Sequence, residues 1–407
     1  MNRIICIVLS MVVIIASNSY AMQSTAFFKN NILYDWHICI VDGENDTGYC
    51  TSIDTHDNDV YISYLYNYPG FDLRYAYLEK GKTWKNVTVD YIGDVGASST
   101  IKIDNYSGKH IIYTENYNVS GSTLKYAYKS ISGSWKINYV EPKGCIIWGP
   151  SLTIDANNNL HLCYINYTSN MLKYAYKPFL GNWSYESIDN SHNDKYYCDI
   201  TVDSKYGIHV SYIETLNTSL KLKYAYKPMN GTWSLENISN LSELRETSMD
   251  VDSADKPHIS YYPYMHLNHA YKLVNGTWAN ETIDHTCDCG QYSDIFIDDY
   301  DNIHIGYYDY SNDFLKYAYK NSTNPWAIET VDNSGQVGED VSIVVDDYGV
   351  VHLSYHDRIN KDLMYATNKP TVVENILVIV CIVTFITMFI VITKRKRNER
   401  GLAVDGG

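Results

Sequence analysis

The sequence of 407 residues predicts an all-β fold, a seven-bladed β-propeller of four-stranded antiparallel blades, and three observations predict it. A short phrase recurs seven times: Leu73-Arg-Tyr-Ala-Tyr77, then Leu-Lys-Tyr-Ala-Tyr-Lys from Leu124, Leu172, Leu222 and Leu315, with looser copies Leu267-Asn-His-Ala-Tyr-Lys272 and Leu363-Met-Tyr-Ala-Thr367. Its alanines (76, 127, 175, 225, 270, 318, 366) lie 45 to 51 residues apart. That period marks a unit that buries its apolar face only against neighbouring copies. Seven tryptophans (Trp36, Trp84, Trp135, Trp183, Trp233, Trp278, Trp326) each open a further short segment, and no segment between the termini carries a helical period.

One repeat shows the elements in order. Ser293 to Asp298 alternates with β-branched residues and reads as a strand; residues 299–302 form a turn. Ile303 to Asp309 is a second strand, Phe314 to Tyr319 a third and Trp326 to Val331 a fourth, with turns between them. Four short strands with turns at this spacing make a propeller blade. The tryptophans run one step ahead of the Tyr-Ala phrases, however. Trp36 precedes the first phrase, and no tryptophan strand follows the last. Circular closure resolves the mismatch: Trp36 to Val41 supplies the outer strand of the blade built from residues 339–367, which leaves no open edge. An open array, or two smaller units, is the alternative.

The ends read differently. Residues 1–21 form a secretory signal peptide, with Arg3, an apolar run from Ile4 to Ile15, and Ser19-Tyr20-Ala21 as a small-x-small cleavage site. A lead-in of 22–35 follows, then the propeller ectodomain at 36–369. Ile376 to Thr393, within a transmembrane helix at 370–393, is long enough to span a bilayer, and Lys394-Arg-Lys-Arg397 opens a short basic cytoplasmic tail at 394–407. These features predict a single-pass membrane protein of the cell surface, its C-terminus in the cytoplasm. The chain carries 32 basic and 47 acidic residues, a net −15, and its basic clusters lie at the ends. So acidic an ectodomain repels nucleic acid and anionic lipid, which excludes both as partners.

Of nine cysteines, seven fall outside the two apolar ends, at 39, 50, 145, 163, 198, 287 and 289. An exterior location permits disulfides, and Cys39 with Cys50 is the first candidate pair. Cys287-Asp-Cys289 lacks the spacing and second ligand pair of a metal motif, so no metal and no cofactor is expected. Thirteen Asn-x-Ser/Thr sequons occur; Asn86, Asn118, Asn182, Asn230, Asn275 and Asn321 are the glycosylation candidates of an exported chain.

The order Asp, turn, His-Ile-Ser-Tyr, variable loop, Leu-Lys-Tyr-Ala, Gly-x-Trp is carried by segments such as Asp252 to Tyr261 and Asn275-Gly-Thr-Trp278. It resembles the sialidase-like, Asp-box-related β-propeller repeat family of exported prokaryotic cell-surface proteins, over residues 36–367. Gly-Thr-Trp at 231–233 and 276–278 matches the end of an Asp-box, but the preceding Ser-x-Asp is missing. The resemblance therefore implies architecture and carries over no catalytic residue. Sialidases of this type hold a carboxylate with three arginines; the ectodomain has only Arg74, Arg245 and Arg358, and Arg74 stands where other copies have lysine, a place expected to project as surface charge.

Residues repeated in every blade read as structure. His110, His161, His209, His258, His304 and His352, with Tyr61 in the seventh copy, are expected to bond the adjacent turn. The aspartates ending each first strand (Asp54, Asp104, Asp155, Asp203, Asp252, Asp298, Asp346) fit Asx turns, and the aromatic residues fill the space between blades. Function belongs where blades differ. Connections alternate between faces, so the Asp-turn-His and Tyr-Lys-to-Trp turns share a uniform face. The second-to-third-strand turns and interblade links share a variable one. The ligand-binding candidates there are Trp148, Tyr197, Glu214, Arg245, Tyr292, Asp309, His356 and Arg358: aromatic rings with carboxylates and polar groups, suited to a sugar. The expected function is non-catalytic recognition of an extracellular carbohydrate or protein ligand. A glycoside hydrolase working through a carboxylate pair, or a structural component of the cell envelope, are the alternatives.

Overall fold

The computed structural model describes residues 35–368 except 116–121, 142–146, 192, 217–218 and 244–245. The expected signal peptide, most of the lead-in, the apolar C-terminal stretch and the basic tail lie outside the described residues. Among the described residues no helix is long and apolar enough to cross a membrane.

Seven four-stranded antiparallel sheets surround one axis. Blade 1 runs from an inner strand (Thr47–His56) through a second (Asp59–Asn67) and third (Phe71–Leu78) to an outer strand (Lys85–Asp90). Blades 2 to 6 repeat this order over 95–139, 147–189, 195–241, 247–284 and 289–332. Blade 7 is composite: Val337–Val345, Val351–Asp357 and Asp362–Thr367 are completed by His37–Asp42. The expected closure is thus present, with His37 opposite Thr367 and Cys39 opposite Tyr365. The chain enters at His37 and leaves at Thr367 side by side on the uniform face.

The repeated phrase is explained by strand alternation. In blade 1, Leu73 and Tyr75 point toward blade 2, while Arg74 and Ala76 point toward blade 7. The leucine and alanine are fully buried in all seven copies. Seven apolar clusters result, one at each seam between blades. Each tryptophan sets its edge against a ring one blade back, as in Trp135 on Tyr75 and Trp84 on Tyr365, with centroids 5.5 and 5.0 Å apart. Inner strands approach the preceding blade closely: a Cβ on Gly96 would lie 2.8 Å from Leu73 Cα, and the glycine φ is +101°. Only glycine takes that conformation in that space.

Two polar devices repeat round the ring. On the uniform face the turn aspartate holds the histidine, and the histidine holds a tyrosine. His209 Nε2 donates to Asp203 Oδ2 at 3.0 Å, which leaves Nδ1 to accept from Tyr224 Oη at 2.7 Å. Asp104–His110–Tyr126, Asp155–His161–Tyr174, Asp298–His304–Tyr317 and Asp346–His352–Tyr365 match it; in blade 5 His269 replaces the tyrosine. Burial tends to raise the Asp155 carboxyl, but bonds from His161 and Asn159 outweigh it and bring it down to about 2.

Nearer the variable face, a second-strand tyrosine and a third-strand cation meet a carboxylate of the previous blade. Asp189 takes Tyr212 Oη at 2.6 Å and Lys223 Nζ at 3.0 Å; Asp90 takes Tyr113 and Lys125 likewise. Arg74 fills the lysine's place, 2.8 Å from Asp42 and stacked 3.6 Å over Tyr66. The expectation that Arg74 projects as surface charge is overturned, because its strand turns that position into the seam. Asp42 lies on the borrowed strand, so this ion pair also fastens the closure.

Two further expectations fail. Asp54 pairs with Tyr61 seven residues on, whereas Lys102 pairs with His110 eight residues on. Blade 1 has a two-residue turn, Asp57-Asn58, with both φ positive. Asp54 stands two ladder pairs back from the pair that closes this turn, His56 and Asp59, so it falls in line with Lys102 and faces the axis. The pair Cys39 and Cys50 does not form. Cys39 is on an outermost strand and Cys50 on an innermost one, and three strand spacings of about 4.8 Å separate those edges within a blade.

Candidate functional site on the axis

The seven inner strands do not hydrogen-bond to each other as a sheet; side chains bridge them. Met249 N–H donates to Asp199 at 2.7 Å, Ile343 N–H to Asp294 at 2.9 Å, Ile297 N–H to Asp250 at 2.8 Å and Ile103 N–H to Asp54 at 2.7 Å. Ser52 and Ser248 add a second acceptor at the seams of Asp54 and Asp250, and Ser342 accepts Ile53 N–H where blade 7 meets blade 1. The edge N–H groups of a propeller's inner strands need acceptors, and here the next blade supplies them. The strands enclose a shaft of about 440 Å3. Burial pushes the Asp54, Asp199 and Asp294 carboxyls up and brings Asp250 to about 6. Lys102 faces them; burial disfavours its charge, but the four carboxylates together hold its pKa above the ordinary lysine value.

At the variable face six of the seven inner strands carry a bulge, and the bulged residues ring the mouth of the shaft. In blades 1, 2, 3, 4, 6 and 7 they are Cys50, Ser98, Gly149, Tyr197, Tyr292 and Asp340, all with positive φ; Glu246 holds the register position in blade 5. None of the seven repeats the pattern of the next, and on one side they are acidic and aromatic. Asp340 accepts Cys50 N–H at 3.1 Å, and burial raises its carboxyl to about 7, with Glu246 and Glu339 adding to the rise. Burial likewise raises Glu339. Tyr292 feels the charges of Asp340, Glu246 and Glu339, and Tyr49 is pushed up to about 12 by burial and then by Asp46, Glu339 and Asp340.

Beside the mouth, His356 is fully buried with its ring 4.0 Å from that of Tyr49. Its nitrogens make no hydrogen bond; Nδ1 lies 4.0 Å from Glu339 Oε2, and burial brings its pKa to about 4, so the ring is neutral. Arg358, exposed, reaches Glu339 at 3.3 Å. The mouth therefore offers three aromatic rings and three carboxylates, one of them titrating near neutrality, with a neutral imidazole buried behind them.

The structure brings together four of the eight residues singled out from sequence: Tyr197, Tyr292, His356 and Arg358. Arg245 lies outside the described residues, as does the side chain of Trp148. Glu214 is buried in a seam, bonded to Lys223 at 3.0 Å, Ser191 and Asn193. Asp309 is buried and caps its own turn through Asn312. Those two carboxylates belong to the scaffold. Tyr49, Glu246, Glu339 and Asp340 went unseen in the sequence. The signal available was the glycine two residues before four of the six bulges, at Gly48, Gly96, Gly290 and Gly338.

Among the glycosylation candidates, Asn86, Asn182, Asn230 and Asn275 are exposed, Asn321 is partly exposed, and Asn118 lies outside the described residues. Asn275 and Asn321 also accept the N–H and hydroxyl of the threonine two residues on, which gives these sequons a role in the turn itself. Asp284, Cys287 and Cys289 place ligand atoms within 4.8 Å of one another. Asp284 already holds Lys316 at 2.6 Å and Tyr307 at 2.8 Å, as the same device does at other seams.

No protein-family model and no curated protein matches the sequence. Solved structures do match. An ulvan lyase of the PL25 polysaccharide lyase family, bound to -[GlcA(1-4)Rha3S]-, aligns with a TM-score of 0.57 at 11% identity, over 80% of this chain and 94% of its own. The polysaccharide lyase Uly1 aligns at 0.55 and 12%, over 78% and 88%. A protein of unknown function from Dyadobacter fermentans aligns at 0.50 and 10%, over 81% and 98%. At such identities these likenesses establish the propeller fold.

Proposed function

We propose that this protein is a cell-surface propeller that binds an extracellular glycan at the mouth of its shaft, without catalysis. One observation carries the reading. The polar residues that repeat from blade to blade are bonded within turns and seams, whereas Tyr49, Tyr197, Tyr292, Glu246, Glu339 and Asp340 converge, unrepeated, on the variable face. Flat rings stack on the C–H faces of sugars and carboxylates accept sugar hydroxyls. The polysaccharide lyases that share this fold make a glycan the favoured ligand over a protein. The acidic mouth favours a neutral or amino sugar over a uronate or sulfated one. Export and membrane anchorage rest on the two apolar ends of the sequence, and the covalent continuations of the ring attach on the face opposite the mouth.

A glycan array probed with the detergent-solubilised full chain tests this. Selective retention on neutral or amino-sugar glycans is expected, with loss in Tyr292→Ala and Glu246→Gln. Absence of retention, or retention untouched by both changes, overturns it.

The Glu339–His356–Arg358 contact favours a second reading, a carbohydrate-cleaving enzyme. A neutral imidazole next to a carboxylate is suited to proton transfer. Turnover of a polysaccharide that disappears in both His356→Asn and Glu339→Gln would support it. Asp309 and Asp357, which cap turns, are excluded as its carboxylate pair.

A further inference from the structure

At one register position, each seam joins the second strand of a blade to the inner strand of the next. Four seams use paired hydroxyls: Ser63 with Ser99 at 3.0 Å, Ser211 with Thr247 at 3.3 Å, Ser260 with Ser293 at 3.0 Å, and Ser354 with Thr51. Two are apolar on both sides. Ile112 stands in register with Pro150, and Gly306 meets Val341, whose Cγ2 lies 3.0 Å from where a Cβ would be. The remaining seam, between blades 3 and 4, has Cys163 and Cys198, with the two Sγ atoms 3.1 Å apart. Cys163 is fully buried and Cys198 is 7% exposed. The two sides of this contact match in chemistry at every seam, so the cysteines face one another by position in the fold.

We propose that Cys163 and Cys198 form a disulfide that staples blade 3 to blade 4. It rests on the cell-surface reading for its oxidising compartment. In forming, the two thiols give up two protons and two electrons by exchange with a disulfide donor, which leaves as two thiols. The sulfurs sit on strands of different blades and need to close by about 1 Å to reach bonding distance. Closing the 34 intervening residues into a loop restrains the unfolded chain and so strengthens the ring at this seam.

The test is peptide mapping by mass spectrometry of the full-length protein, alkylated while unfolding and without reductant. In protein isolated from its own cells, a linked peptide pair carrying Cys163 and Cys198 is expected. In parallel, chain reduced in denaturant is refolded in glutathione redox buffer. A link in the refolded protein but not in the isolated one supports the pairing and overturns the oxidising compartment. Both cysteines alkylated in both preparations overturns the staple. The double variant Cys163→Ser with Cys198→Ser recreates the hydroxyl pair of other seams and should fold. Its melting temperature should equal that of reduced wild type and ignore dithiothreitol, while that of oxidised wild type falls on reduction. A wild-type melting temperature indifferent to reductant also overturns the staple.

Discussion

The two faces of this ring are made of the same strands yet differ in how they use polar groups. On the uniform face, six blades repeat an aspartate that holds a histidine. In five of them that histidine holds a tyrosine, and every member has its partner in the same blade. On the variable face the inner-strand residues at the mouth change from each blade to the next, and the acids and rings among them meet around the axis. Repetition satisfies hydrogen bonds locally, and a group so satisfied has nothing left to offer a ligand. Departure from the repeat marks where chemistry remains available.

That contrast breaks or sharpens under substitution. The largest effect is expected from Asp42→Ala. It strips Arg74 and Tyr64 of their shared acceptor at the closing seam, and breaking such a buried pair costs roughly 3–5 kcal/mol. Chemical denaturation measures it. Next is His209→Ala on the uniform face, which takes the imidazole from Asp203 Oδ2 and leaves the Tyr224 hydroxyl without its acceptor, for a loss of about 2–3 kcal/mol. Glycan binding should survive at temperatures where the variant is folded; a loss of binding there would deny the separation of the faces.

Acid probes the same face with a smaller effect per site. The Asp155 carboxyl is lowered in the folded state, so its contribution is fully present above the unfolded value near 3.8 and is lost as pH falls toward about 2. It amounts to roughly 2 kcal/mol, and stability followed by fluorescence from pH 5 to pH 2 should decline. The mouth has the opposite sign. Asp340 is raised to about 7, so ionising it costs stability as pH rises from about 4 through 7. Asp340→Asn keeps an oxygen for Cys50 N–H and removes that cost, so the variant should gain stability over the wild type as pH rises from about 4 to 7. It should also abolish any step in glycan affinity near neutral pH. An affinity that is flat from pH 6 to 8 in the wild type would remove Asp340 from the site.

Much of the fold was legible because the repeat is long, regular and counted twice, by Tyr-Ala phrases and by tryptophans. Their one-step offset disclosed the borrowed strand. What escaped the sequence depends on depth and on neighbours. Cys39 and Cys50 are close in sequence but lie at opposite radii. Arg74 looks like a surface cation until strand alternation turns it toward Asp42 of another blade. Asp54 matched its counterparts in type, yet the ladder of its blade runs on to His56 before turning, which leaves Asp54 facing the shaft. The site was half legible. Tyr197 and Tyr292 stood out as aromatic residues in variable links, whereas Glu246, Glu339 and Asp340 acquire meaning only when the inner strands are set around a common axis.

Pairing His37 with Thr367 has a consequence for engineering. The ring has no privileged beginning, since its first and last strands are partners in one sheet. A short peptide joining those two residues would make the backbone continuous, and the chain could then be cut at an interblade link instead. A permutant opened between blades 2 and 3 should rebuild the same wheel from a different starting spoke, with its new ends free to carry a fluorophore or a surface tether.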